Sequence, residues 1–322
     1  MHETVGSRLL EKKEAWLGLS LLPGWGPVRI WRALAGRDNP VPLWRHLKRP
    51  NSQQAIERTL KAAQARDIDI VTWEDIHYPI NLRHISHPPP VLYLRGSLLT
   101  AGNVAIAVVG SRRASPQARQ LAFVLARDLA QLGVTIVSGL AAGIDAAAHR
   151  GALSGGGRTI AVLGGAVENV YPRAHVTLAR EIAASGAVVS QFPCGTETKP
   201  AHFPIRNRTL AGLALATVVV EAPARSGALI TADFALDHGR EVFACPGDPL
   251  RGNTHGSNNL LREGARPVQN AWNIIEDLSV ELEWALANCG SERTRSACTY
   301  KQWCGNMTNS LGPVRIAPKA GG

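Results

Sequence analysis

The chain has 322 residues, 45% of them hydrophobic and 19% charged, which excludes a disordered or fibrous protein and leaves room for one α/β domain with a smaller module at each end. Lys and Arg number 35 against 25 Asp and Glu, a formal charge of +10; the excess is +5 over residues 1–103 (14 against 9), +5 over 104–222 (11 against 6) and nil over 223–322 (10 against 10). A polyanionic partner is therefore expected on the first two thirds of the chain, and five scattered cysteines with no C-x-x-C pair exclude a disulfide framework and point to a reduced, cytoplasmic protein.

The opening Met1-His2-Glu3-Thr4 carries no basic segment ahead of an apolar one, and no run reaches the ~18 apolar residues of a membrane helix, so no membrane role is expected. Residues 15–36 read as two short helices around Leu21-Leu22-Pro23-Gly24-Trp25-Gly26-Pro27. That order is similar to a helix-hairpin-helix, whose turn amides can hold a phosphate, and it equally suits a plain helical turn. After a polar, Pro-containing stretch over 38–52 and a helix to about Ala65, residues 68–73 and 91–94 read as strands joined by the rigid His87-Pro88-Pro89-Pro90.

From Asn103 onward short apolar runs alternate with amphipathic stretches, the pattern of βαβ units around a doubly wound, Rossmann-like parallel sheet. The runs are 104–109, 135–137, 159–163, 187–189, 217–220 and 241–244. The expected division is a helical module over 1–66, an α/β domain over 67–277 and an irregular tail over 278–322, with no pattern able to build a further folded module.

In such a sheet ligands bind beyond the carboxyl ends of the strands, so the loops there are the candidate site. The first strand runs into Gly110-Ser111-Arg112-Arg113-Ala114-Ser115-Pro116, where Ser115 suits a helix N-cap and two guanidinium groups suit phosphate. The second ends in Ser138-Gly139-Leu140-Ala141-Ala142-Gly143-Ile144-Asp145, whose G-x-x-x-G spacing is neither a Walker A loop nor a dinucleotide fingerprint. Asp145 and His149 lie four apart on the following helix and could share a metal or a proton; an acid complementing the helix dipole and steadying a neighbouring His is the preferred reading. Neither a cofactor nor a metal is expected. Beyond the fourth strand come Lys199 and Phe203-Pro204-Ile205-Arg206-Asn207-Arg208, an aromatic among cations, as in a groove for a single nucleic-acid strand. The fifth closes with residues 221–227, where the small hydroxyl and glycine of Ser226-Gly227 suit an anion at a helix start.

Six ordered motifs carry a resemblance: Gly110-Ser111-Arg112, residues 138–145, Ala148-His149-Arg150-Gly151-Ala152-Leu153, residues 203–208, Ser226-Gly227-Ala228-Leu229-Ile230-Thr231-Ala232 and Cys245-Pro246-Gly247. Together they resemble the DNA processing protein A (DprA/Smf) family over roughly residues 68–270. The resemblance implies a non-enzymatic, homodimeric protein that binds single-stranded DNA and helps load the RecA recombinase during natural transformation. It implies DNA contacts by Ser111, Arg112, Lys199, Phe203, Arg206, Asn207 and Arg208; Arg113, Ser138, Gly139, Gly143, Ser226 and Gly227 join them as candidates from their loops. Gln191 stands where the family commonly shows Glu, and the winged helix with which many members end is not expected here.

The alternative is a phosphoribohydrolase on a related sheet, cleaving nucleotide N-glycosidic bonds. Residues 222–227 lack that class's Pro-Gly-Gly signature, and no Glu follows on the helix to stabilise a cationic transition state. The geometric expectation is therefore a single cationic trough onto which Arg112, Phe203 and Arg208 all face.

Overall fold

The computed structural model describes residues 5–98 and 104–278; the tail expected over 278–322 lies, from residue 279 on, outside the described residues. Four helices lead the chain: α1 (Val5–Leu21), α2 (Pro27–Leu34), α3 (Val41–Leu47) and α4 (Ser52–Gln64). Helix α3 falls within the stretch read as merely polar, because Val41 and Trp44, three apart on one face, give it an apolar side to bury. These helices share a core with the outer face of the sheet: Trp16, Leu19, Ile30 and Trp44 cluster with Tyr93, Leu163 and Leu178.

An aromatic chain links the two parts. Trp16, Trp31, Trp73 and Tyr78 follow one another at centroid separations of 5.1, 4.9 and 5.3 Å. Their polar edges are also fastened. Trp16 Nε1 donates to Glu74 Oε1 (3.1 Å), Trp31 Nε1 to the Pro88 carbonyl (2.7 Å) and Tyr78 Oη to the Pro89 carbonyl (2.7 Å). The triproline connector has no N–H of its own to satisfy, so its carbonyls serve as a rigid row of acceptors.

Two strands open the sheet, β1 (Asp69–Thr72) and β2 (Val91–Gly96), with the short helix α5 (Ile80–Arg83) between them. The six apolar runs follow as β3 (Ala105–Val109), β4 (Thr135–Ser138), β5 (Thr159–Val162), β6 (Ala187–Ser190), β7 (Ala216–Val219) and β8 (Glu241–Ala244), and the two-residue β9 (Arg266–Pro267) closes the far edge. The order is β1-β2-β6-β5-β4-β3-β7-β8-β9; β2 pairs antiparallel with both β1 and β6, and the other pairings are parallel. Continuous Val, Ile and Ala runs suit this sheet because both faces are covered.

The crossover helices are α6 (Pro116–Gln131), α7 (Ile144–Ser154), α8 (Val176–Ser185), α9 (His202–Leu213) and α10 (Gly227–Asp237), followed by α11 (His255–Arg262) and α12 (Ala271–Asp277). Alternation along β3 shows the two layers: Ile106 and Val108 pack under α6, α7 and α12, while Ala105, Ala107 and Val109 pack under α9 and α10. From β3 the chain moves to β4 on one side, and from β7 to β8 on the other. The carboxyl ends of β3 and β7, paired through Val109 and Val219, therefore flank a topological switch point.

Candidate functional site

A crevice of about 480 Å³ opens at that switch point. Its first wall is the turn between β3 and α6. The Ser111 N–H donates to the Glu221 carbonyl (2.7 Å), and Ser111 Oγ accepts from the Arg113 N–H (3.1 Å). Ser115 caps α6 by accepting from the Ala118 N–H (3.1 Å), while its own N–H and hydroxyl donate to the two oxygens of the Glu221 carboxylate (2.9 and 2.7 Å). A buried carboxylate satisfied by two donors is stable where an unpaired one would not be. Glu221 thus fastens this turn to the end of β7 and leaves the Arg112 and Arg113 side chains exposed. Sequence reasoning passed over Glu221 as a site residue; its signal was an acid closing an otherwise apolar strand.

The turn between β4 and α7 forms the floor. Gly143 has φ +80°, and a β-carbon there would run into the Ser111 and Arg112 carbonyls, so the two turns meet closely only because this residue is glycine. Gly139 presents its carbonyl to Arg206. Ser138 is a correction to the expected site: it is fully buried and donates to the Val108 carbonyl (2.7 Å), because the last residue of a central strand points into a helix layer and not toward the opening.

Asp145 and His149 go separate ways. Asp145 Oδ2 accepts from the Ala141 N–H (3.2 Å), and burial raises its carboxyl above the ordinary value although Arg206 opposes the rise. His149 meets Thr159 Oγ1 through Nδ1 (2.7 Å), and that hydroxyl donates onward to the Ile136 carbonyl (2.8 Å). The Thr159 proton being spent there, His149 must carry its hydrogen on Nδ1. Burial holds this imidazole neutral, with its pKa lowered to about 3. The preferred structural reading of the pair stands in part: the acid sits in the first turn, but Thr159 steadies the His.

Helix α9 supplies the second wall through Phe203, Arg206, Asn207 and Leu210, spaced at three, four and seven. Arg206 is buried, with Nη1 donating to the carbonyls of Gly139 (2.5 Å) and Val162 (2.6 Å) and Nε to Asn207 Oδ1 (3.0 Å). Desolvation lowers its pKa to about 10, partly offset by Asp145, so it stays charged at neutral pH. Asn207 Nδ2 donates to the Gly227 carbonyl (3.1 Å), tying α9 to the start of α10. The guanidinium of Arg112 lies 4.7 Å from the centre of the Phe203 ring and that of Arg206 lies 5.8 Å from it.

Two expected residues do not join them. Arg208 is 200° round the helix from Arg206, at 100° per residue, and donates through Nη2 to the carbonyl and hydroxyl of Ser86 on the far side of α9. The single trough onto which Arg112, Phe203 and Arg208 all faced is therefore corrected to one holding Arg112 and Phe203 without Arg208. Helical spacing in 203–208 already carried that distinction. Lys199 is exposed in the approach to α9 and does not line the crevice.

The third wall is the turn after β7. Ser226 caps α10 by accepting from the Ala228 N–H (3.2 Å), Gly227 lies exposed beside it, and Arg225, absent from the expected set, lines the opening with an exposed side chain. Asp145 is the carboxylate among the described lining residues, and it is already engaged. Among the described residues no three His, Cys, Asp or Glu side chains gather as a metal site, and no helix is long and apolar enough to cross a membrane.

A switch-point crevice lined by exposed guanidinium groups over a buried arginine clamp belongs to a Rossmann-like protein of the doubly wound class, and its chemistry suits an anion. Residues 69–279 match the family model described as DNA recombination-mediator protein A, and the chain belongs to that family. Protein Smf of Synechocystis sp. is 35% identical over 274 residues, covering 83% of this chain and 65% of that relative's own length. The crystal structure of DNA processing protein A from Streptococcus pneumoniae superposes with a TM-score of 0.67 at 30% identity, over 86% of this chain and 99% of that one. The protein of the same name from Helicobacter pylori does so with a TM-score of 0.59 at 30% identity, over 66% of this chain and 97% of that one.

Proposed function

We propose that this protein binds single-stranded DNA in the switch-point crevice, as a recombination mediator in natural transformation and DNA processing. The observation that carries the reading is the stack of Arg112 over Phe203 at the mouth of a crevice that Arg113 and Arg225 also line. The Helicobacter pylori relative is described by its single-stranded-DNA binding mode, which supports the same ligand here.

In this reading Arg112, Arg113 and Arg225 track the phosphates, the Ser111 turn and the Ser226–Gly227 helix start supply amide donors, and Phe203 meets a base. Arg112 covers a face of that ring, so a base either stacks on the guanidinium or displaces it toward a phosphate. Arg206, Asn207, Gly139 and Gly143 shape the floor. Lys199 contacts the strand only outside the crevice.

We place the helical module at 1–66, the DNA-binding domain at 67–277 and a tail at 278–322, and we infer a homodimer that passes its strand to the RecA recombinase. Family membership supports both partners; sedimentation of the free protein and capture of purified RecA on immobilised protein test them.

Fluorescence anisotropy with labelled oligothymidine and with a duplex of equal length tests the principal claim. Single strands should bind more tightly. Arg112→Glu should weaken single-strand binding by about 2 kcal/mol, whereas Arg119→Glu, on the exposed side of α6, should change it little. Equal affinity for both nucleic acids, or equal losses in the two variants, rejects the reading.

A further inference from the structure

The displaced Arg208 belongs to a second cationic surface. Its Nη2 grips Ser86 from α9, while α2 grips the neighbouring connector from the other side through the Trp31 to Pro88 hydrogen bond (2.7 Å). Between these anchors sits His87, in the left-handed region at φ +54°, and Arg32, next to Trp31, is exposed beside it. Burial lowers the His87 pKa, and Arg208 and Arg32, which both bear on it electrostatically, lower it further. The carboxylate that bears on Arg208 is Asp237, at the end of α10.

Two guanidinium groups, Arg32 from α2 and Arg208 from α9, converge on one rigid loop, and an anion lying across them gains from both charges. On the outer side of α9 the exposed Pro204, which lines the crevice, and the exposed Ile205 are followed by the half-buried Arg208, whose guanidinium reaches this loop. That continuity favours the strand already held in the crevice over an unrelated acidic partner.

We propose that Arg32 and Arg208, flanking the neutral His87, form a basic seam that holds the phosphate backbone of the same single strand where it leaves the crevice and passes over α9. The seam makes no base contact and lengthens the footprint without adding sequence preference. This inference rests on the crevice reading.

The test measures binding of wild type, Arg32→Glu and Arg112→Glu to oligothymidine of about 6 and about 30 nucleotides, a range that brackets the footprint of a single-strand site. Arg32 is exposed, so its replacement leaves the core intact. Arg32→Glu should bind the short oligomer as wild type does and the long one about tenfold more weakly, with a shallower salt dependence. Arg112→Glu should weaken both. Unchanged long-oligomer binding by Arg32→Glu would overturn the seam and leave the crevice reading intact; failure of wild type to bind either oligomer would overturn the crevice reading and the seam with it.

Discussion

Arg112 and Arg206 approach the same aromatic ring and do different work. Arg206 spends Nη1 and Nε on two carbonyls and an amide oxygen, so it clamps the ends of β4 and β5 together and offers the ligand charge without mobility. Arg112 lies over the face of Phe203, a contact worth about 0.5–1 kcal/mol at an exposed position, with Asp145 and Arg206 bearing on it electrostatically, and it can swing to a phosphate at little cost. Phe203 therefore has two tasks, storing Arg112 and stacking a base. Phe203→Ala should lose about 1–3 kcal/mol of single-strand affinity. Phe203→Tyr, which keeps the ring face, should retain most of it, and titration of labelled oligothymidine against both variants decides the point.

His149 yields a prediction about stability at the same scale. Its folded-state pKa is lowered to about 3 from an ordinary 6.5, so the unfolded chain takes up a proton that the native imidazole refuses. A depressed pKa contributes stability above pH 6.5 and loses it as pH falls toward 3. The cost is roughly 1.4 kcal/mol per pH unit. Asp145, with its raised carboxyl, acts in the opposite sense, so the comparison must isolate the imidazole. Urea unfolding at several pH values below 6.5 should show a steeper loss for wild type than for His149→Gln, and equal slopes would disprove the assignment.

Among the elements, the turns after β3, β4 and β7 act as a unit, because Glu221 binds the first to the third and Gly143 lets the second close against the first. Gly143→Ala adds one carbon where backbone carbonyls already stand and forces a left-handed φ on a residue with a side chain. It should cost about 2 kcal/mol of stability and, by moving the Arg112 turn, weaken DNA binding as well. Thermal unfolding and anisotropy on one preparation measure both effects. Much of this was legible in the sequence: β3 to β8 lie on the six apolar runs, since strands covered on both faces show as unbroken Val, Ile and Ala, and glycines at their ends mark the turns. The Glu221 latch was not legible, because it exists only once β3 and β7 are neighbours, nor was the burial of Ser138. Helices α3 and α5 and strand β9 were too short to impose a period. Helical phase separates Arg206 from Arg208, whereas the bare run of cations in 206–208 gives one patch.

For the whole molecule, the formal charge of +10 is a poor guide to affinity, since exposed charges more than about 8 Å from the strand are screened at physiological salt. What matters is how many cations displace counterions from phosphates. The crevice offers three exposed guanidinium groups, Arg112, Arg113 and Arg225. At about 0.7 per neutralised phosphate on a single strand, log K against log salt should fall with a slope near −2, about a twentyfold loss between about 50 and about 200 mM salt. A short oligomer confined to the crevice should show that slope in an anisotropy titration at several salt concentrations. A slope indistinguishable from zero would mean that the arginines at the mouth do not touch phosphate, and one twice as steep would mean that Arg206 and further cations reach the strand, which their buried or outward positions oppose.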